Sequence, residues 1–229
     1  MMLPSATLII NTQFKDRTRG FAAPFVVLAL HSMAGDQPAA APLRATYQDV
    51  LDAPEHLVAE VINGTLYTQP RPAGPHAHAA SVLGMDIGSP FHRGRGGPGG
   101  WIIVDEPELH LGEQILVPDL GGWRRERMEQ FPTAAYVELA PDWACEVLSP
   151  STALKDRTLK LPIYAHEGVR HVWLVNPTER SIEVFRLDGE GYRLATVVGG
   201  QTSARIEPFD AVELELSALW LQDAPDPTL

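Results

Sequence analysis

The chain has 229 residues, 45% apolar and 21% charged, and its 18 Lys+Arg against 29 Asp+Glu give a net charge of −11. A chain of that size and apolar content buries one sizeable core, which excludes a disordered or fibrous protein, and the single cysteine, Cys145, excludes a disulfide scaffold. The acidic balance excludes a protein that coats nucleic acid by bulk charge, but not a nuclease, because carboxylates gathered to hold a metal ion are negative until the metal arrives.

Residues 1–42 read as an extension ahead of a single domain over 43–221, with a frayed tail at 222–229. Lys15, Arg17 and Arg19 precede an apolar run from Phe21 to Leu30, followed by Ser32, Met33 and Ala34. This imitates a signal sequence, but the run is too short to cross a bilayer, and translation starting at Met33 is the preferred reading over secretion. The protein is therefore expected in the cytoplasm, away from membranes.

From Thr46 the pattern becomes regular. Thr46 caps a short helix through Leu51, and a β-type run from Val58 to Leu66 is broken by Asn63-Gly64, a strong hairpin signal. After a proline-rich turn, Ala79, Leu83 and Ile87 recur every four residues within His76 to Ile87, marking one helical face. The glycine-rich stretch from His92 to Gly100 is a loop. Trp101 to Val104, Glu108 to Leu111 and Gln114 to Val117 read as short strands, with Asp119 just past the last of them and Trp123 to Arg127 in a loop beyond.

Asp142 to Leu148 reads as a central strand. Ser149 to Thr152 cap a helix that ends near Gly168 and is kinked at Pro162. His171 to Val175, Ser181 to Arg186 and Tyr192 to Val198 complete the pattern. The fold class is mixed α/β (α+β), with one main sheet antiparallel in its outer parts.

An ionised side chain inside an apolar strand needs a partner, a metal or water. Glu60, Asp119 and Glu146 all have that setting, and their spacing lets separate strands bring them together. Two or three carboxylates at one spot are the hard oxygen donors that Mg²⁺ or Mn²⁺ takes, and such an ion serves phosphodiester hydrolysis. Asp156, Lys160 and Tyr164 recur every four residues, so one helix face can return a lysine to the acids.

These residues bring a resemblance into view. Glu60-Val-Ile-Asn-Gly64, the helix opening at His76, Val117-Pro-Asp119-Leu120, Glu146-Val-Leu-Ser-Pro-Ser-Thr152, Asp156 with Lys160 and Tyr164, Gly168-Val169 and Trp173-Leu-Val-Asn-Pro177 follow one another in an order and spacing that resemble the Uma-type restriction-endonuclease family, a branch of the PD-(D/E)xK nuclease superfamily. The likeness runs from about Tyr47 to Trp220. It implies a restriction-endonuclease-like fold, a central mixed sheet flanked by helices, with Asp119 and Glu146 as ligands of Mg²⁺ or Mn²⁺ and Glu60 as an auxiliary acid. The superfamily pattern places a lysine two residues after the glutamate, on the same strand face. Leu148 stands there, and Lys160 is the candidate for a migrated lysine.

For substrate contacts the expectation is Arg124 and Arg125 gripping phosphate, with Trp123 available to stack on a base and His76 near the substrate, against the plainer readings of a solvated loop with a partly buried Trp123 and of a His76 that caps or packs. Arg93 and Arg95 either add to that basic rim or are plain loop residues. The function expected is a metal-dependent endonuclease acting on nucleic acid, DNA favoured, and a homodimer is the assembly that cutting both strands would call for. The alternative, prompted by Leu148, is an inactive nuclease fold that only binds nucleic acid. A zinc site among His76, His78, His92 and His110 lacks ligand spacing, and no serine-hydrolase elbow surrounds Ser149.

Overall fold

The computed structural model describes residues 44–71 and 74–221. The expected extension with its alternative start at Met33, the boundary at residue 42 and the tail 222–229 lie outside the described residues.

Helix α1 (Tyr47–Leu51) opens at Thr46, whose backbone N–H and hydroxyl both donate to the Asp49 carboxylate at 2.7 and 2.8 Å, a reciprocal cap of the expected kind. Strands β1 (Leu57–Ile62) and β2 (Thr65–Pro70) form the hairpin, and Asn63 and Gly64 both take positive φ, 53° and 78°, as the tight right-twisting turn requires. Helix α2 (Gly74–Ile87) buries Ala79, Leu83 and Ile87 and runs into a π turn at Gly88–His92. Strand β3 (Trp101–Asp105) follows, then the β4 (Leu109–Leu111) and β5 (Gln114–Leu116) hairpin.

One expectation needs correcting at β6 (Leu120–Arg124). The sequence reads as a loop there, yet these residues pair antiparallel with β3 on one side and with β7 (Trp143–Val147) on the other. Gly121 and Gly122 hide the strand, because glycine carries no β preference. Both are needed for close packing. A Cβ at Gly121 would lie 2.9 Å from Pro107 and from the Trp123 ring, and one at Gly122 would lie 3.0 Å from Trp143.

After β7 the chain crosses through α3 (Ala153–Lys155), a π turn at Asp156–Lys160 and α4 (Leu161–His166) to β8 (His171–Asn176), which lies parallel to β7. The irregularity falls just ahead of Pro162, which has no N–H to continue the helix ladder. Strands β9 (Ser181–Asp188) and β10 (Gly191–Gly199) extend the sheet, and a small β11 (Ser203–Ala204) and β12 (Leu214–Glu215) pair leads to a 3₁₀ turn at Leu216–Leu219.

The expectation of one main sheet holds only for the six-stranded mixed sheet β10-β9-β8-β7-β6-β3. The early strands form a separate antiparallel sheet, β2-β1-β5-β4. Strand alternation explains how the two are joined. Along β7, Trp143, Cys145 and Val147 enter a core beneath α2 that also holds Leu83, Trp173 and Phe209. Ala144 and the following Leu148 enter a second core with Ile62 and Leu116 of the smaller sheet and Tyr164 of α4. The side chain of Glu146 falls between those of Ala144 and Leu148 in that period-two pattern. Glu146 therefore faces the space between the two sheets. Among the described residues no helix is long and apolar enough to cross a membrane.

Candidate active site

The pairing of Leu120 with Cys145 in antiparallel β6 and β7, carried one residue further, sets Asp119 opposite Glu146. Opposed residues in such a ladder share a face. A hydrogen bond ties the corner, the Val147 N–H donating to Asp119 Oδ2 at 2.7 Å. Glu60 arrives from the other sheet. The Val117 N–H donates to its Oε1 at 2.9 Å, so the strand end that leads to Asp119 also fixes Glu60. The three acids thus converge from two sheets rather than from one.

Lys160 lies between them, 1% exposed, with Nζ 2.8 Å from Glu60 Oε1 and 2.7 Å from Glu146 Oε1, and it donates to the Val117 carbonyl at 3.3 Å. The helix face expected from the four-residue spacing is the face turned inward, since Asp156, Lys160 and Tyr164 are all buried. The Tyr164 hydroxyl donates to Glu146 Oε1 at 2.6 Å. Position 148 is Leu, and the lysine beside the glutamate comes from the following helix, carried there by a π turn.

Lys155 belongs to the same cluster and was not legible in the sequence as a site residue. Its Nζ is 2.5 Å from Glu60 Oε2 and donates to Gln69 Oε1 at 2.7 Å. With Val117 and Lys160 on one oxygen and Lys155 on the other, Glu60 is committed to holding lysines. The resemblance makes Glu60 an auxiliary acid, and its contacts here are to the two lysines and the Val117 N–H.

The charges follow from these contacts. Burial alone would raise the Glu60 pKa, but Lys160 and Lys155 more than offset it and hold the carboxyl below its ordinary value. Burial would likewise discharge Lys160, yet Glu146, Glu60 and Asp156 outweigh it and raise its pKa above the usual lysine value. Glu146 is pushed well above the carboxylate range by burial, which Lys160 offsets only in part while Asp156, Asp119 and Glu60 add to the rise. Asp156 is raised by burial, against Lys160 and Lys155.

His76, in the first turn of α2, has Nε2 3.3 Å from Asp119 Oδ1. Burial opposes its protonation, but Asp119 prevails and raises its pKa. A cavity of about 290 Å³ opens beside this pair, lined in part by Gln69, Arg71, His76, Asp119, Ser149 and Thr152. Arg71 lines the same cavity as Asp119. Its Nη1 pairs with Glu106 Oε2 at 3.1 Å while most of the side chain, 61%, stays exposed.

Arg124 and Arg125 are not brought there. They lie at the opposite end of β6, about 16 Å along the strand from Asp119 at ~3.3 Å per residue. Arg124 stacks over the Trp101 ring at 4.4 Å. Trp123, weighed as a base-stacking residue against a partly buried one, is fully buried with its Nε1 donating to the Leu139 carbonyl at 2.8 Å. The histidines weighed for zinc are dispersed. His78 Nε2 lies 3.1 Å from the Ala218 carbonyl, and His110 is 2.8 Å from Glu108 and stacked on Tyr136.

The donor set can be tested against a divalent ion. Among the described residues no three His, Cys, Asp or Glu side chains come together as a metal cage. Among the described residues, His76 lies beside Asp119 Oδ1, and the bonds from Lys160 and Tyr164 to Glu146 both fall on Oε1. Two hard oxygen donors, Asp119 lining the cavity and Glu146 buried opposite it on the next strand, suit a small ion that keeps most of its own water, as Mg²⁺ does, and do not suit an ion that needs a full protein cage.

A mixed sheet flanked by helices, with an acid pair and a lysine gathered at the ends of adjacent strands, defines a restriction-endonuclease-like fold. The chain belongs to the Uma2 family, described as "Putative restriction endonuclease", whose profile matches residues 45–218. Among solved structures it is similar to one titled a "putative nuclease belonging to DUF820" from Anabaena variabilis ATCC 29413, with a TM-score of 0.63 and 24% identity, over 76% of this chain and 97% of that one. No protein of curated function matches the chain. Membership of the family supports a nuclease function, and the structural likeness supports the fold.

Proposed function

We propose that this protein is a divalent-metal-dependent endonuclease of the cytoplasm that hydrolyses phosphodiester bonds in DNA. The observation that carries the reading is the placement of Lys160 within 2.7 Å of Glu146 and 2.8 Å of Glu60, at the acid that Asp119 faces across the strand pair. Asp119 and Glu146 would hold the Mg²⁺ or Mn²⁺ ion, which supplies Lewis-acid stabilisation of charge on the phosphoryl oxygens.

The chain's own residues supply the rest. Lys160, kept protonated by three carboxylates, presents fixed positive charge for the anionic transition state. Glu60 and Lys155 act through Lys160 by fixing its position. Tyr164 orients Glu146, as outer partners of metal-binding carboxylates do. His76 donates to Asp119 and borders the cavity, so it can contact the substrate, and Arg71 at the cavity mouth takes the phosphate-gripping role first expected of Arg124 and Arg125.

The binding-only alternative was prompted by Leu148, and an ammonium supplied to Glu146 from the helix favours the enzymatic reading. The test is Mn²⁺-dependent nicking of plasmid by wild type, Asp119→Ala and Lys160→Met. Cleavage by wild type alone is expected. Equal cleavage by all three would refute the site.

A further inference from the structure

We propose that a nucleic-acid strand bound at the Asp119 cavity continues along α2 into a second cavity, where Arg93 and Arg95 of the glycine-rich loop grip its phosphates. This extends the nuclease reading above and rests on it.

The two cavities share a wall. The Glu106 N–H donates to the Asp119 carbonyl at 3.0 Å, joining the end of β3 to the start of β6. Glu106 and Asp119 line the first cavity, while their chain neighbours Asp105 and Leu120 line the second, of about 570 Å³. Helix α2 runs past both. His76 borders the first, and the later turns carrying Ser81 and Gly88 border the second. From His76 to Gly88 is about 18 Å at ~1.5 Å per residue, roughly five nucleotide steps at about 3.4 Å each.

The far end of that path is cationic. Arg93 and Arg95 are exposed, and neither makes an ion pair among the described residues, whereas Arg44, Arg71, Arg127, Arg157 and Arg193 each pair with an acid. Arg124, Arg125, Arg170 and Arg205 make no ion pair among the described residues either, but none of them lines this cavity, whereas Arg93 and Arg95 both do.

The loop that carries them is also fixed in place. The Arg93 N–H donates to the Gly88 carbonyl at 3.1 Å, Arg95 N–H to Ser89 at 2.9 Å and Gly99 N–H to Pro90 at 2.9 Å. Gly94 and Gly96 take φ of +67° and +77°, and a Cβ on Gly97 would come within 2.4 Å of Pro90. The glycines thus let the loop fold back on the π turn, so the two arginines meet a ligand with little backbone ordering left to do. Beside them, His92 Nδ1 lies 2.9 Å from the Ile103 nitrogen and 3.1 Å from its carbonyl oxygen, which fixes the ring against β3. The acid in the wall, Asp105, sits at the end nearest Asp119. An extended polyanion is the ligand that reaches from one cavity to the other.

The test is fluorescence anisotropy with a labelled duplex of about 20 base pairs, in Ca²⁺ to suppress cleavage, across a salt series. Removing two phosphate contacts in R93A/R95A should flatten the slope of log affinity against log salt by about 1.8 and weaken binding about tenfold at moderate salt. The control R193A, on the distant β9–β10 hairpin, should keep both. An unchanged slope in R93A/R95A, or a wild type that does not bind the duplex, overturns the proposal. Mn²⁺ cleavage is read separately. Arginine-dependent binding without any cleavage would sink the nuclease reading alone, and cleavage with an unaltered slope would sink the groove alone.

Discussion

Replacing Lys160 with methionine tests the centre of the site, because methionine keeps the apolar stem and removes the charge. Lys160 is 1% exposed and bonded to both Glu60 and Glu146, and removing one partner of a buried ion pair costs about 3–5 kcal/mol. The lower end is expected here, about 3 kcal/mol, since Lys155 still holds Glu60 at 2.5 Å and Glu146 can take up a proton. For a domain of this size that is a fall in Tm of about 6–12 °C. The pH dependence has a definite sign. The folded-state pKa of Glu146 already lies above the ordinary carboxylate value through burial, so the protonated form favours the folded state. That contribution is present below the unfolded pKa of about 4.3 and is lost as pH rises through the folded value. The Tm gap between wild type and Lys160→Met should therefore widen from acid to alkaline pH. Thermal melts across that range read it directly. A variant that melts with wild type at every pH, or nicks plasmid at the wild-type rate, would refute the buried-charge account of this lysine.

Four further outcomes follow from single contacts. Tyr164→Phe removes the 2.6 Å bond to Glu146 and should cost about 1.5–3 kcal/mol in urea unfolding. His76 should titrate in NMR spectra above the ordinary histidine value, because Asp119 overcomes its burial. Its pairing with Asp119 then stabilises the fold below the unfolded pKa of about 6.5 and ceases to as pH rises through the folded value, and Asp119→Asn should move the titration down. Gly121→Ala should destabilise by about 1–3 kcal/mol in chemical denaturation, since its methyl would meet Pro107 and Trp123 at 2.9 Å. Arg124→Ala should leave cleavage unchanged, a direct check on the distance between that arginine and Asp119.

What the sequence made legible depended on period and on isolation. The Asn63-Gly64 turn, the buried Ala79, Leu83 and Ile87 face and the run around Glu146 each carry a local signal strong enough to stand alone. So did the four-residue spacing of Asp156, Lys160 and Tyr164, which share one buried helix face. Strand β6 was hidden because its two glycines carry no strand preference, and their reason is tertiary contact with Pro107, Trp123 and Trp143. That omission then misplaced the arginines. Read as a loop, Trp123 to Arg127 can fold back on Asp119, but read as a strand it carries Arg124 away at about 3.3 Å per residue. Lys155 and Arg71 gave no signal for a different reason. An exposed-looking lysine beside Asp156, or an arginine in a proline-rich turn, acquires meaning only when the second sheet brings Glu60 and Gln69 to one and the Asp119 cavity to the other.

The charge of the site has its own logic. Glu60, Asp119, Glu146 and Asp156 stand against Lys155 and Lys160, so full ionisation leaves two negative charges in a largely buried cluster. Burying uncompensated charge is costly, and the chain alone can relieve it only by protonation, which is the direction in which Glu146 and Asp156 are pushed. On the proposed reading a divalent ion relieves it instead, supplying positive charge beside Asp119 and Glu146 without a proton. Without the ion the Asp119 cavity repels a phosphate. With it the repulsion is neutralised, and the nearby Lys160 ammonium acts on the phosphate without a competing surplus of carboxylates. The arginines at the far cavity are exempt from this dependence, since neither makes an ion pair among the described residues. Capture of a strand and cleavage of it are then separable steps, the first governed by salt and the second by the metal.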